Sequence, residues 1–373
     1  MKMLPSQRAL FEIPEDVAYL DTAAYGALPR AVREAGEVGV AVKSTPWTRQ
    51  IARDDAWAER CRTAAAKLIG ADADGIALVG SVSHGIATAA LNTRAAPGSR
   101  ILRIAQEFPS QVLAWDRFAA RTGAVVDEVA RPADGDWTQA LLDRIAPPGA
   151  PPLAVATLTP LHWTDGSRID LDRLAPAVRA AGAALVIDAT QAVGAMPIDV
   201  TRWDPDFLAF PTYKWVLGPY SQAFLYVAPR HRDGEPLEPN TRNQENAPGA
   251  RRFDKGERND PVGLPMAATG MELVLSWGPA NIAARLGHLT GMLADALTAQ
   301  GVTASWPAQR VGHILGLQPA NALPEGTAAA LAAQGVHVSE RGTGLRVSPH
   351  VHATEDDIAR AAAAIARLPA FRA

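Results

Sequence analysis

Short apolar runs that alternate with amphipathic stretches constrain this chain more than any other feature. The runs are residues 76–79, 100–104, 124–126, 153–158, 184–187, 207–210 and 223–227. Around and between them lie predicted helices over 56–69, 85–94, 111–121, 137–145 and 170–181. A strand covered on both faces reads as a continuous apolar run rather than an alternating one. Strand, helix, strand repeats of this length therefore imply an α/β fold, a mostly parallel sheet with helices on its faces. No repeat period of the solenoid kind is visible.

Past this region the character changes. Residues 230–265 are polar and rich in Pro, Gly, Asn and Arg, which reads as a long functional loop. A helix over 266–275 follows, and Gly278-Pro279 opens another that runs towards Ala299. The remainder reads as a small α+β unit, with strands near 302–305, 313–317 and 345–348 and a helix near 327–334. A last helix begins at Thr354, where Thr354 and Asp357 resemble a capping box. The expected division is a large domain over 18–280 and a small C-terminal domain over 281–373, with the segment 1–17 belonging to the latter.

Composition excludes several classes of partner. The net charge is −3, and Lys and Arg are scattered, so neither nucleic acid nor another polyanion is expected. Cys61 is the sole cysteine, which forbids an intrachain disulfide and suits a reducing compartment. The N-terminus lacks the apolar core of a signal peptide, and no apolar run is long enough for a bilayer. A cytoplasmic location is expected, with no membrane partner.

The chemistry concentrates after two of the strands. One ends at Val186-Ile187-Asp188 and is followed by Gln191; the next leads into Pro211-Thr212-Tyr213-Lys214-Trp215. A strand-end carboxylate and a lysine one strand later suit pyridoxal phosphate. The amine forms a Schiff base with the aldehyde, and the carboxylate keeps the ring nitrogen protonated. An aspartate after a strand is also a common turn residue, and most lysines lie on surfaces. The flanking Tyr213 and Trp215 favour a desolvated lysine with a lowered pKa. Gly80-Ser-Val-Ser-His-Gly85 stands between a strand and a helix, where Ser83 and backbone amides make an anion site. It lacks the dinucleotide fingerprint.

With these motifs in place, nearly the whole chain resembles class V aminotransferase-fold enzymes of PLP fold type I. That group includes cysteine desulfurases, kynureninase and isopenicillin N epimerase-like proteins. The resemblance implies that Lys214 carries pyridoxal 5′-phosphate and that Asp188 and Gln191 meet its pyridine nitrogen and phenolic oxygen. Val82, Ser83, Thr212 and Tyr213 would hold the phosphate. Phe108 falls where the family stacks an aromatic ring, and it is counted with Lys214 and Asp188 as catalytic. Arg346 matches the clamp on the substrate carboxylate. Asn259, with Arg258 beside it, matches a loop that reaches a neighbour's phosphate, which implies a homodimer. Tyr25, Trp47 and Trp163 are candidate walls, with Tyr25 assigned to substrate. No metal site is expected.

The chain also departs from the family pattern. Where relatives place an Asn at the ring oxygen, residues 159–162 offer His162. Pro211 replaces a frequent Ser. No cysteine lies within 336–343, so a desulfurase that forms a persulfide on itself is disfavoured. The expected activity is aminotransferase-type chemistry on an α-amino acid or related amine. The alternatives are a C–S or C–C lyase, an epimerase, or a non-catalytic PLP-binding relative.

Overall fold

The computed structural model describes residues 3–243 and 247–372. Residues 244–246, part of the loop expected over 230–265, lie outside the described residues, as do 1–2 and 373. In chain order the elements begin with β1 (Ala18–Tyr19), α1 (Arg30–Ser44), α2 (Ile51–Ile69), β2 (Ile76–Val79), α3 (Val82–Leu91) and β3 (Arg100–Ile104). There follow α4 (Pro109–Thr122), β4 (Val125–Val129), α5 (Trp137–Ile145), β5 (Leu153–Leu158), α6 (Leu171–Ala180), β6 (Ala184–Asp188) and α7 (Val200–Trp203). Then come β7 (Phe207–Pro211), β8 (Ala223–Val227), α8 (Gly263–Trp277), α9 (Pro279–Ala299), β9 (Ala304–Ser305) and β10 (Leu315–Pro319). The chain closes with α10 (Thr327–Ala332), β11 (Val336–His337), β12 (Ser339–Arg341), β13 (Gly344–Val347) and α11 (Glu355–Ile365).

Seven strands form the central sheet in the order β2-β8-β7-β6-β5-β3-β4. All neighbours are parallel except β8, which runs antiparallel to both β2 and β7. This is the mostly parallel α/β sheet expected from the sequence. Because β8 runs backwards, its first residue lies at the edge where the parallel strands end. Gly80, Glu107, Asp188 and Lys214 lie at or just past the carboxyl ends of β2, β3, β6 and β7. Ser221 and Gln222, just before β8, arrive at the same edge. Ligands in open α/β sheets bind at that edge.

Both faces of the sheet are covered. One carries Val82, Ile86, Trp115 and Phe118 from α3 and α4 against Val155, Val186 and Phe207. The other face continues without a break into the C-terminal region, where Ile314, Leu345 and Ile358 share one apolar core with Ile187 and Leu208. A four-stranded sheet, β12-β13-β10-β9, forms that region. The helical character changes at Gly278, between α8 and α9, and we propose the two expected units as lobes built on one core. β1 pairs in parallel with β11, so residues near 18 are tied to the C-terminal lobe.

Sequence periodicity leaves α1 unmarked, and it starts α2 at 56 and α3 at 85 instead of at Ile51 and Val82. Gly36 and Gly39 blur the pattern of α1 because both are weak helix formers. Packing explains them. A Cβ at Gly39 would lie 2.0 Å from the Pro261 carbonyl oxygen, and one at Gly36 2.6 Å from Met266 Sδ. These small residues let α1 lie close against α8.

Candidate active site

The turn after β7 is held from several sides. Thr212 N–H donates to the Gln222 carbonyl at 3.0 Å and its hydroxyl to that of Pro219 at 2.7 Å. Gly26 N–H donates to the Tyr213 carbonyl at 2.8 Å. The Trp215 indole donates to Gln191 Oε1 at 2.8 Å, and Gln191 Nε2 donates to the Ala23 carbonyl at 3.0 Å. His313 and His350 brace the same region through the carbonyls of Gln191 and Trp215. Burial lowers these two imidazoles to about 4 and about 3, so they are neutral fasteners.

What this scaffold presents is Lys214. It lies buried at one wall of a cavity of about 200 Å³. Its Nζ stands 5.3 Å from the Tyr213 ring centre and 5.8 Å from that of Phe108. Among the described residues it has no hydrogen bond and no ion pair. Burial, then the Arg346 charge, lower the amine to about 8, while Asp188 opposes them. An amine with that value is partly neutral near pH 7, the state in which it attacks carbonyls.

Asp188 faces Lys214 from the end of β6. Its Oδ1 accepts the Thr190 N–H at 2.8 Å. Burial raises its pKa, and the bonds to Thr190 and the Lys214 charge pull it back. The start of α3 also lines the cavity. Ser81 caps it by accepting the His84 N–H, which leaves the amides of Ser81, Val82 and Ser83 at the cavity wall. Unpaired first-turn amides attract anions.

The remaining candidates divide. Phe108 lines the cavity beside Trp163, ring edge to ring face at 5.5 Å and 90°. Gln191 and Tyr213 also line it. His162 does not: it stacks on Trp137, and its nitrogens face Thr164 and the Ala105 carbonyl. Thr159 lines the cavity in its place. The Thr212 hydroxyl is spent on the turn, and Thr212 is not among the lining residues. Tyr25 stacks on Tyr220 at 6.0 Å, outside the wall. Trp47 is 81% exposed and does not line the cavity. Asn259 donates to Asp55 at 3.0 Å and faces a separate cavity of about 950 Å³ beyond Ser221 and Gln222.

Arg346 on β13 is buried without being part of the wall. It donates to the Trp163 carbonyl at 3.0 Å and to Ser339 Oγ at 3.3 Å, and lies 3.5 Å from Asp21 Oδ1. Its Nε has no partner. Burial, and then Arg341, lower it to about 10.

Residues 18–366 match the family model described as aminotransferase class-V. The chain belongs to that family. This class V chain is 32% identical to a kynureninase of Deinococcus radiodurans over 277 residues, which is 68% of the chain and 64% of that enzyme. It thus spans less than two thirds of that relative's length. The fold superimposes on apo cysteine desulfurase from Thermococcus onnurineus NA1 with a TM-score of 0.85, at 19% identity and 98% coverage of both chains. A C-DES variant with glycine covalently linked to its PLP cofactor matches with a TM-score of 0.84, at 18% identity, covering 97% of this chain and 99% of that one.

The residues present fit the cofactor that the sequence resemblance implies. A free amine, a buried carboxylate and the start of a helix line one cavity. The class V chain also lines this cavity with residues that sequence reasoning passed over: Glu107, Ser110, Thr190, Tyr220, Ser221 and Gln222. Glu107 directly precedes Phe108 in the sequence, but nothing local distinguishes it from a solvated helix-start acid.

Proposed function

We propose that the chain is a pyridoxal 5′-phosphate-dependent enzyme that acts on an α-amino acid or related amine, with transamination as the first reading. The observation that carries this is Lys214, buried, unpaired and lowered to about 8, facing Asp188 in one cavity. When bound, the cofactor supplies an aldehyde that condenses with amines and a ring that draws electrons from the substrate. Lys214 holds the aldehyde end and, as a free amine, moves the proton at the substrate's α-carbon. Asp188 supplies negative charge opposite the ring nitrogen. The first-turn amides of α3, with Ser83, take the phosphate. Phe108 and Trp163, which line the same cavity, would pack on the cofactor and exclude water.

Arg346 is assigned to the substrate carboxylate. Its unpartnered Nε and its 3.5 Å contact with Asp21 support an exchange in which the substrate displaces Asp21. A C–C lyase is the second reading, supported by the 32% identity to a kynureninase. Cys61 speaks against a reaction that hands sulfur to a protein thiol. It is buried on α2, donates to the Leu264 carbonyl and is pushed up to about 12.

Visible spectra of wild type and Lys214→Ala, before and after a panel of amino acids, test the assignment. A band present in wild type, absent in the variant and shifting with some amino acids is expected. A wild type that stays colourless when given pyridoxal phosphate sinks it.

A further inference from the structure

Asp188 shares its cavity with a second carboxyl, Glu107, that no role above uses. The chain turns sharply to present it. Gln106 adopts a left-handed φ of 57°, and its carbonyl is held by the Trp163 indole at 2.9 Å. Glu107 Oε1 accepts the Phe108 N–H at 2.7 Å, whereas Oε2 is buried with no partner. Among the described residues no Lys, Arg or His lies within ion-pair distance of it.

The surroundings are polar but uncharged. Gln111, one turn further along α4, is fully buried, and neither of its amide atoms has a partner. The Thr157 hydroxyl on β5 is likewise buried and unpartnered. Trp115 of α4 packs with Val155 and Val186, so α4 covers the face of the sheet that carries Thr157 and Asp188. Unpartnered hydrogen-bonding groups therefore lie on α4 and on the sheet face that it covers. The titratable groups that face the two carboxyls are Lys214 and Tyr213, both on the turn after β7. β5 brings Thr157 and Thr159, and α3 brings Ser81 and Ser83, none of which titrates near neutrality.

Two carboxyls that share a low-dielectric cavity disfavour each other's ionisation. Asp188 has the Thr190 N–H and the Lys214 charge to stabilise its anion; Glu107 has one backbone N–H and no cation. We propose that Glu107 is a positioning residue for Asp188, a neutral carboxylic acid that holds the pair's proton and sets how basic Asp188 is beneath the cofactor. Burial pushes Glu107 up to about 8, the Phe108 N–H opposes this and the Asp188 charge adds to it, in keeping with that geometry. Above that pH the added negative charge would make Asp188 more basic towards any proton donor it faces. The role in catalysis rests on the cofactor reading; the carboxyl pair does not.

The test begins with the apoprotein. A group whose folded pKa is raised gives stability that is present below its unfolded value and lost as pH rises through the folded one. Wild-type melting temperature is therefore expected to fall relative to Glu107→Gln between about pH 5 and about pH 9. In an Asp188→Asn background the midpoint of that difference should move to lower pH. A difference flat with pH, or a midpoint that Asp188→Asn leaves in place, overturns the proposal. Carboxyl-¹³C NMR titration of the wild type needs no variant. One glutamate still titrating near about pH 8 supports the proposal; all glutamates fully ionised by about pH 6 overturn it. With pyridoxal phosphate, Glu107→Gln should bind like wild type at about pH 6 and differently at about pH 9, because Gln mimics the neutral acid alone. Equal affinity at both values overturns the tuning of Asp188. Failure of wild type to bind the cofactor removes the functional reading, while the melting and NMR curves still decide the carboxyl pair.

Discussion

Lys214 costs the fold stability in order to be reactive. Its amine is lowered from 10.5 to about 8, chiefly by burial. The folded state therefore binds fewer protons than the unfolded state between those values. The penalty is full below about pH 8 and fades as pH rises towards 10.5. Lys214→Met is thus expected to stabilise the apoprotein at neutral pH by about 2–3 kcal/mol, with the gain vanishing at strongly alkaline pH. Thermal melts across pH read this directly, and an unchanged or lower melting temperature at neutral pH would show that the amine is not strained. Lys214 and Asp188 were legible in the sequence because chemistry dictates both residue types and their places after successive strands. The neutrality of His162, His313, His350 and His352 was not, because burial under segments far along the chain imposes it, against carbonyl partners that favour the charged ring.

At the scale of elements, the lysine turn depends on a segment nearly two hundred residues earlier. Gly26 lies against it so closely that a Cβ would sit 2.1 Å from the Lys214 carbonyl oxygen. That neighbour is backbone, so it cannot swing aside. Gly26→Ala is expected to displace the turn and weaken pyridoxal phosphate binding by at least about tenfold, equivalent to about 1.4 kcal/mol. Fluorescence titration of the apoprotein checks this, and wild-type affinity in the variant would show the contact to be soft. The polar stretch after β8 is anchored in a similar way. Asp254 accepts the Leu78 N–H at 2.9 Å and pairs with the buried Arg62. Lys255 reaches the Ser221 carbonyl at 3.1 Å and Gln222 Oε1 at 3.3 Å, beside the cavity. Thr354 and Asp357 form the capping box read from the sequence, and Asp357 also pairs with Arg8 at 2.9 Å.

At the scale of the molecule, exposed apolar side chains gather on α1, the turn after it and the start of α2. Trp47 is 81% exposed, Val38 65% and Ile51 62%. Next to them lies the cavity of about 950 Å³ that Asn259 and Arg258 share with Ser221 and Gln222. A monomer seldom leaves such residues in water together. We propose that a second copy of the chain covers this surface. Sedimentation velocity is expected to show a dimer in wild type and a weaker one in Trp47→Arg; a monomeric wild type at micromolar concentration would refute the proposal.

The sequence alone determined the α/β class, because strands covered on both faces must be apolar throughout, and it placed the amine, the carboxylate and the Gly80–Gly85 turn at strand ends. It could not show that β8 runs backwards, since an apolar run has no direction. It could not mark α1, whose glycines answer to α8. Nor could it single out Glu107, which resembles any acid at a helix start until α4 packs onto the sheet and leaves it facing Asp188 without a cation. Those features arise from contacts between residues far apart in the chain, and only the tertiary structure decides such contacts.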